Sequence, residues 1–148
     1  MLKNYNSLGL MSGTSGDGVD ASLITSNGVD KFQVIKDGYF RYDSSIYEDI
    51  HSLKEQIYTS KDLNKYQKEI NELARKITIF HAKVINEFNL RDQDTLVGFH
   101  GQTIYHNADE KISLQLGDGK LLNQLSKKKI VFNFRKKDIL NGGDGASI

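Results

Sequence analysis

Between Gly9 and Asp20 the chain reads GLMSGTSGDGVD, an apolar run that breaks into glycines, hydroxyls and two aspartates and then turns apolar again. Glycines let backbone N–H groups crowd together and point at an anion. Thr14 and Ser15 add hydroxyl donors, and Asp17 and Asp20 can hold Mg²⁺ or accept a proton from a substrate hydroxyl. Gly13 and Gly18 have the spacing of a Walker A loop, but Val19 and Asp20 stand where that loop has its lysine and hydroxyl, so a P-loop is excluded. The pattern is not G-x-G-x-x-G either. An ordinary tight hairpin, its turn solvated by Asp and Ser, would use the same residues.

Two further clusters follow apolar runs. GFHGQT, Gly98 to Thr103, offers His100, Gln102 and Thr103 around the flexible Gly101, where a buried strand ends. Ligand sites of open α/β sheets lie at the carboxyl ends of strands, and Gln and Thr suit hydroxyl-rich ligands such as sugars; a structural histidine capping the strand end is the plainer reading. A His100/His106 metal pair lacks a third ligand. FNFRKKDILNGGDG, Phe132 to Gly145, delivers Arg135 as a clamp for an anion or polar group. Lys127 to Lys129 and Lys136-Lys137 read as a solvated basic face.

The elements that must position these clusters are legible from periodicity. Ser7 to Met11, Val19 to Thr25 and Phe32 to Tyr42 read as three consecutive antiparallel strands, with Asn27-Gly28 as a hairpin turn and Asp37-Gly38 as a bulge or turn. Ser45 and Glu48 form a capping box opening a helix from Ile46 to Tyr58, interrupted at Thr59-Ser60. Leu63, Tyr66, Ile70, Leu73, Ile77, Phe80, Val84 and Phe88 keep a helical period through one long amphipathic helix. Thr95 to Phe99, Ile112 to Leu116 and Lys129 to Phe134 read as strands, Leu121 to Leu125 as a short helix, and the glycine-rich tail as a loop. Three meandering strands followed by helix-linked parallel ones make an α/β, ribonuclease H-like order with a mixed five-stranded sheet.

The totals narrow the classes. With 148 residues the chain suits one domain, and its net charge of +1 with 26% charged residues gives no field to draw nucleic acid or membrane. It has no cysteine, hence neither disulfides nor thiolate metal sites. The first residues lack the apolar core of a signal peptide, and no run approaches ~18 apolar residues, so a cytoplasmic protein is expected. A metal-dependent nuclease on this fold would need carboxylates at the ends of the first and fourth strands, where Ser12-Gly13 and His100-Gly101 stand instead.

Four stretches in series resemble the anhydro-N-acetylmuramic acid kinase family: Met11 to Asp20 against its M-S-G-T-S-L-D-G-V-D, His100 to Thr103 with His106 against H-G-Q-T, Gln115 to Asp118 against Q-L-G-D/N, and Phe134-Arg135 with Asp138 and the Gly142 to Ala146 turn against D-F-R-x-x-D and G-G-Q-G-A-P-L. The resemblance implies the sugar kinase/actin/heat-shock ATPase fold, two ribonuclease H-like domains around a cleft. It implies a reaction in which ATP and water open the 1,6-anhydro bond and phosphorylate the 6-oxygen in cell-wall recycling. By the same resemblance Gly13, Thr14, Ser15, Gly16, Asp17, Gly18, Val19 and Asp20 form the first phosphate loop of the ATP site, Asp17 or Asp20 helps position Mg²⁺ or water, and His100, Gln102, Thr103 and Arg135 face the sugar.

The departures are Gly16 for leucine, Asn133 for aspartate, and Asp144 and Ser147 for glutamine and proline. The family's general-base aspartate, in G-F-D-x-G-P-G-N, has no counterpart here, nor have its second phosphate loop and adenosine pocket. Residues 1–148 are therefore expected to be the first domain of a two-domain kinase, inactive alone. It would be a marginal domain frayed at its last residues, prone to bind a complementing half or to self-associate as a homodimer. The other reading is a catalytically inactive module that binds a sugar or a partner.

Overall fold

The computed structural model describes residues 3–145; the expected fraying and Ser147 fall on 146–148, outside the described residues. Strands β1 (Tyr5–Met11), β2 (Gly18–Ser26) and β3 (Phe32–Arg41) form an antiparallel meander. Helices α1 (Ser44–Gln56), α2 (Ser60–Lys65) and α3 (Gln67–Glu87) follow, then β4 (Leu96–Phe99), a hairpin of β5 (Gln102–Asn107) and β6 (Ile112–Leu116), α4 (Gly119–Ser126), β7 (Lys129–Phe132) and α5 (Lys136–Leu140). The main sheet has five strands in the order β3-β2-β1-β4-β7, with β1, β4 and β7 parallel. This is the ribonuclease H-like order expected, and it brings the carboxyl ends of three neighbouring parallel strands to one edge.

Alternation explains which face is covered. Leu8 and Leu10 on β1, Val19 and Ala21 on β2, and Val97 and Phe99 on β4 point inward and are buried. They share one core with Ile46, Ile50 and Leu53 of α1 and Ile70, Leu73, Ile77, Val84 and Ile85 of α3. Each of these Val, Leu, Ile and Phe side chains contributes about 1.5–3 kcal/mol by leaving water. The opposite face carries Gly9 beside Gly98 and Ser22, with Met11 and Tyr39 exposed along it. Among the described residues no helix is long and apolar enough to cross a membrane.

Local expectations change in five places. Helix α1 is capped by Asp43, whose Oδ1 accepts from Ile46 N at 2.9 Å, so the Ser45/Glu48 box does not form. The interruption at Thr59 is itself a capping box with Asp62, opening α2. The long stripe is broken at Tyr66 (φ −102, ψ 22), which separates α2 from α3. The bulge lies not at Asp37-Gly38 but at Ile35, because the register passes from Leu23 opposite Lys36 to Ile24 opposite Val34. Between Phe134 and the glycine-rich loop, a stretch to which the sequence pattern assigns no element, lies α5.

Candidate functional site

The three clusters converge. Loop 12–17 leaves β1, His100 follows β4, and Asn133 to Arg135 follow β7, so all lie where the parallel strands end. His100 N donates to Leu10 O at 3.3 Å, tying the end of β4 to that of β1.

In the loop the carbonyls turn inward. Gly13 O accepts from Gln102 Nε2 at 2.9 Å and from Gly16 N at 3.2 Å. Thr14 O accepts from Lys54 Nζ of α1, and Asp17 O accepts from Tyr42 N at 2.9 Å. Among the described residues, the N–H groups of Thr14, Ser15 and Asp17 find no acceptor, and Thr14 and Ser15 are exposed. With these carbonyls taken up, the loop keeps backbone N–H donors available to an anion. Gly16 makes it possible: its φ is +72°, and a Cβ there would stand 2.9 Å from Ile50 Cγ2 and 3.4 Å from His51 Nε2, itself buried without a partner.

The other members of the octet do different work. Gly18 lets β2 approach β3, since a Cβ would lie 2.4 Å from Phe40 O. Val19 is a core residue. The two aspartates do not share a pocket. Asp17 lines one of about 500 Å³ with Tyr39, Arg41 and Tyr47. Asp20, on the uncovered sheet face, lines a trough of about 710 Å³ with Gly9, Met11, Ser22 and His100. Among the described residues no group of three His, Cys, Asp or Glu side chains could hold a metal ion. The donor set suits Mg²⁺ bound through one carboxylate together with ligand phosphates, not a cage built by both.

His100 is half-buried, and its Nδ1 lies 2.8 Å from Gly101 O. A carbonyl only accepts, so Nδ1 carries the proton and Nε2 is left as an acceptor. That Nε2 is buried without a partner, beside a cavity of about 20 Å³ lined by Gln115, Asn133 and Arg135. The space holds one water or ligand hydroxyl. Burial pushes the imidazole pKa down, the Gly101 carbonyl opposes this, and the Arg135 charge lowers it further; at neutral pH the ring is uncharged.

Gln102 and Thr103 do not face the uncovered site. Gln102 is fully buried, its Nε2 donating to Gly13 O and Thr103 O (3.2 Å) and its Oε1 accepting from Tyr42 Oη at 3.3 Å. Thr103 is buried too, with Oγ1 accepting from Gln115 Nε2. Both belong to β5, a strand to which the sequence pattern assigns no element, and Gly101 (φ +80°) allows the reversal into it. Within the described residues both side chains are taken up by internal partners, Gln102 by Gly13, Thr103 and Tyr42 and Thr103 by Gln115.

The remaining motifs are also structural. Asp118 caps α4 by accepting from Leu121 N at 3.0 Å, and Gly117 and Gly119 lie against the rings of Phe99 and Phe132. Asp138 organises the glycine turn: its Oδ2 accepts from Gly145 N at 2.9 Å and its carbonyl from Gly143 N at 2.9 Å. Sequence reasoning missed Lys54, the cation nearest the loop, because nothing local marks a lysine late in an amphipathic helix.

A family model described as anhydro-N-acetylmuramic acid kinase matches residues 5–148. A relative of that name from Pelagibacter ubique (strain HTCC1062) is 55% identical over 150 residues, covering 100% of this chain and 40% of that protein. Relatives of the same name from Prochlorococcus marinus (strain NATL1A) and Agrobacterium fabrum (strain C58 / ATCC 33970) are 37% and 32% identical, each over 95% of this chain and 38% and 39% of their own lengths. The chain thus spans about 40% of the length of the curated relatives it matches. The family model matches all but the first four residues, and on that match the chain belongs to the anhydro-N-acetylmuramic acid kinase family.

Proposed function

We propose that this chain is the ribonuclease H-like first domain of a two-domain, cytoplasmic anhydro-N-acetylmuramic acid kinase of cell-wall recycling, and that loop 13–17 is its first phosphate loop. The observation that carries the reading is the inward hold on the Gly13, Thr14 and Asp17 carbonyls, which leaves neighbouring N–H groups free for an anion. Phosphoryl transfer is catalysed mainly by positioning and charge stabilisation. The nest and the Lys54 ammonium would meet ATP phosphate oxygens, and Asp17 or Asp20 would hold Mg²⁺, which neutralises phosphate charge when bound. His100 Nε2, as a neutral acceptor, takes a hydroxyl of the anhydro sugar, and Arg135 beside it takes an anionic or carbonyl oxygen. A second domain, supplied by the length the relatives have beyond this match, would carry the general base and the adenosine pocket and could equally be recruited as a separate half; self-association to a homodimer is the competing use of the uncovered face.

The test is turnover. The purified chain incubated with anhydro-N-acetylmuramic acid, Mg²⁺ and ATP is expected to form no sugar phosphate. Formation at a kinase-like rate of ~1–100 s⁻¹ would show that one domain suffices. An inactive binding module is the reading that gains if the chain stays silent even when joined to the remaining portion of a relative.

A further inference from the structure

Behind the loop runs a chain of buried polar side chains. His81 of α3 is fully buried, packed edge-on against Phe99 at 4.8 Å. Its Nδ1 lies 2.7 Å from Ile77 O, so Nδ1 carries the proton and Nε2 is the acceptor. Ser12 Oγ, at the start of the loop, is 3.4 Å from that Nε2 and 3.0 Å from Tyr42 Oη. Tyr42 Oη is in turn 3.3 Å from Gln102 Oε1, and Gln102 Nε2 reaches Gly13 O. The chain therefore begins in a helix, passes the loop's first residue, and returns to the loop at its second.

Three contacts, His81–Ser12, Ser12–Tyr42 and Tyr42–Gln102, share two hydroxyl protons, because the imidazole proton is held by Ile77 O. The orientation of Gln102 is fixed by its two carbonyl acceptors, so its Oε1 must turn to Tyr42. Buried polar groups are costly when unpaired, which makes such a network specific about where its members lie. Buried hydrophobic contacts could stabilise the same region without fixing the direction of a carbonyl. Residues recruited only for stability would have no reason to end on Gly13 O.

We infer that Ser12, Tyr42, His81 and Gln102 form a positioning relay that sets the Gly13 carbonyl inward and so holds the loop's N–H groups in their anion-binding orientation. The relay's benefit to a ligand rests on the phosphate-loop reading, but its effect on the loop does not. None of the four touches the ligand: Gln102 and Tyr42 act through Gly13 and Asp17, His81 through Ser12.

The test uses Tyr42→Phe and Gln102→Met in the full chain, with Ser12→Ala and Ser12→Thr as a pair that removes and restores the hydroxyl. Backbone ¹⁵N relaxation and hydrogen exchange are read first without ligand. Tyr42→Phe, Gln102→Met and Ser12→Ala are expected to lower order at residues 13–16 and to speed exchange of the Gly16 amide, which donates to Gly13 O, at least tenfold, with protection at Leu8 and Ile77 unchanged and Ser12→Thr restoring it. Loop order and exchange equal to wild type in both Tyr42→Phe and Gln102→Met would overturn the inference, as would a uniform loss across the core. Should Gln102→Met not fold, Tyr42→Phe and the Ser12 pair decide alone. Mg-ATP titration then separates the two claims. Loosened loops with no response of wild type to Mg-ATP leave the relay standing and remove the nucleotide reading; a response about tenfold weaker in the variants supports both.

Discussion

Lys54 Nζ, in the last turn of α1, donates to the carbonyl of Thr14 at the tip of the glycine loop, forty residues earlier. The contact places an ammonium group beside N–H groups that have no acceptor among the described residues, so a fixed positive charge accompanies a backbone nest. Lys54→Met is expected to weaken Mg-ATP binding about tenfold, as loss of one charged hydrogen bond implies. Because Thr14 is exposed, water replaces the lysine at its carbonyl and Tm should change by less than about 2 °C. Calorimetric titration beside a melting curve checks both numbers.

Asp17 and Asp30 make a second comparison. Asp17 belongs to the loop, whereas Asp30 accepts from Asn27 Nδ2 at 2.9 Å in the β2–β3 turn, where Asn27 Oδ1 also gathers three backbone N–H groups. In a preparation completed by the remaining portion of a relative, Asp17→Asn should lower kcat/KM roughly 10–100-fold, and Asp30→Asn should stay within about twofold. Equal losses in the two variants would remove Asp17 from the phosphate site.

His81 links pH to stability. Burial, partly offset by the Ile77 carbonyl and reinforced by the charge of His100, lowers its pKa from 6.5 to about 4. The unfolded chain therefore binds a proton between pH 6.5 and 4 that the folded chain refuses. The stability contribution is whole above pH 6.5, declines as pH falls toward 4, and reaches a loss of about 3 kcal/mol. Denaturant midpoints of wild type and His81→Gln should converge as pH drops through this window. Parallel curves would mean that His81 is charged in the fold.

Gly16 tests the backbone. Alanine at φ +72° costs about 1–2 kcal/mol, and its Cβ would press on Ile50 at 2.9 Å. Gly16→Ala should lower Tm by roughly 3–8 °C, measured by scanning calorimetry, with a larger loss of Mg-ATP affinity than of stability because the nest itself is displaced.

Strands β1 and β4 were legible because each buries one face and alternates accordingly, as Leu8, Gly9, Leu10 and Met11 do. The hairpin at Asn27-Gly28 declares itself by turn chemistry, with Gly28 at φ +75°, and the core stripe of α3 by its helical period. Strand β5 did not. Its first residues, Gln102 and Thr103, are buried by hydrogen bonding rather than hydropathy, so they look like a polar loop. Asp43 displaced Ser45 as the cap because it sits one residue before the helix, and capping residues two positions apart cannot be ranked by type alone. The candidate site was readable as motifs, yet the work of Lys54, Tyr42 and His81 depends on contacts 30 to 69 residues apart, which no local pattern shows.

The central claim is that residues 13–17 cradle phosphate. The most direct measurement is an amide ¹H–¹⁵N titration of the wild-type chain with Mg-ATP, mapped residue by residue. Saturable shifts centred on Thr14, Ser15 and Asp17, the amides without an acceptor among the described residues, with inorganic phosphate competing, are the expected result. Shifts that saturate elsewhere while these three amides stay still would contradict it.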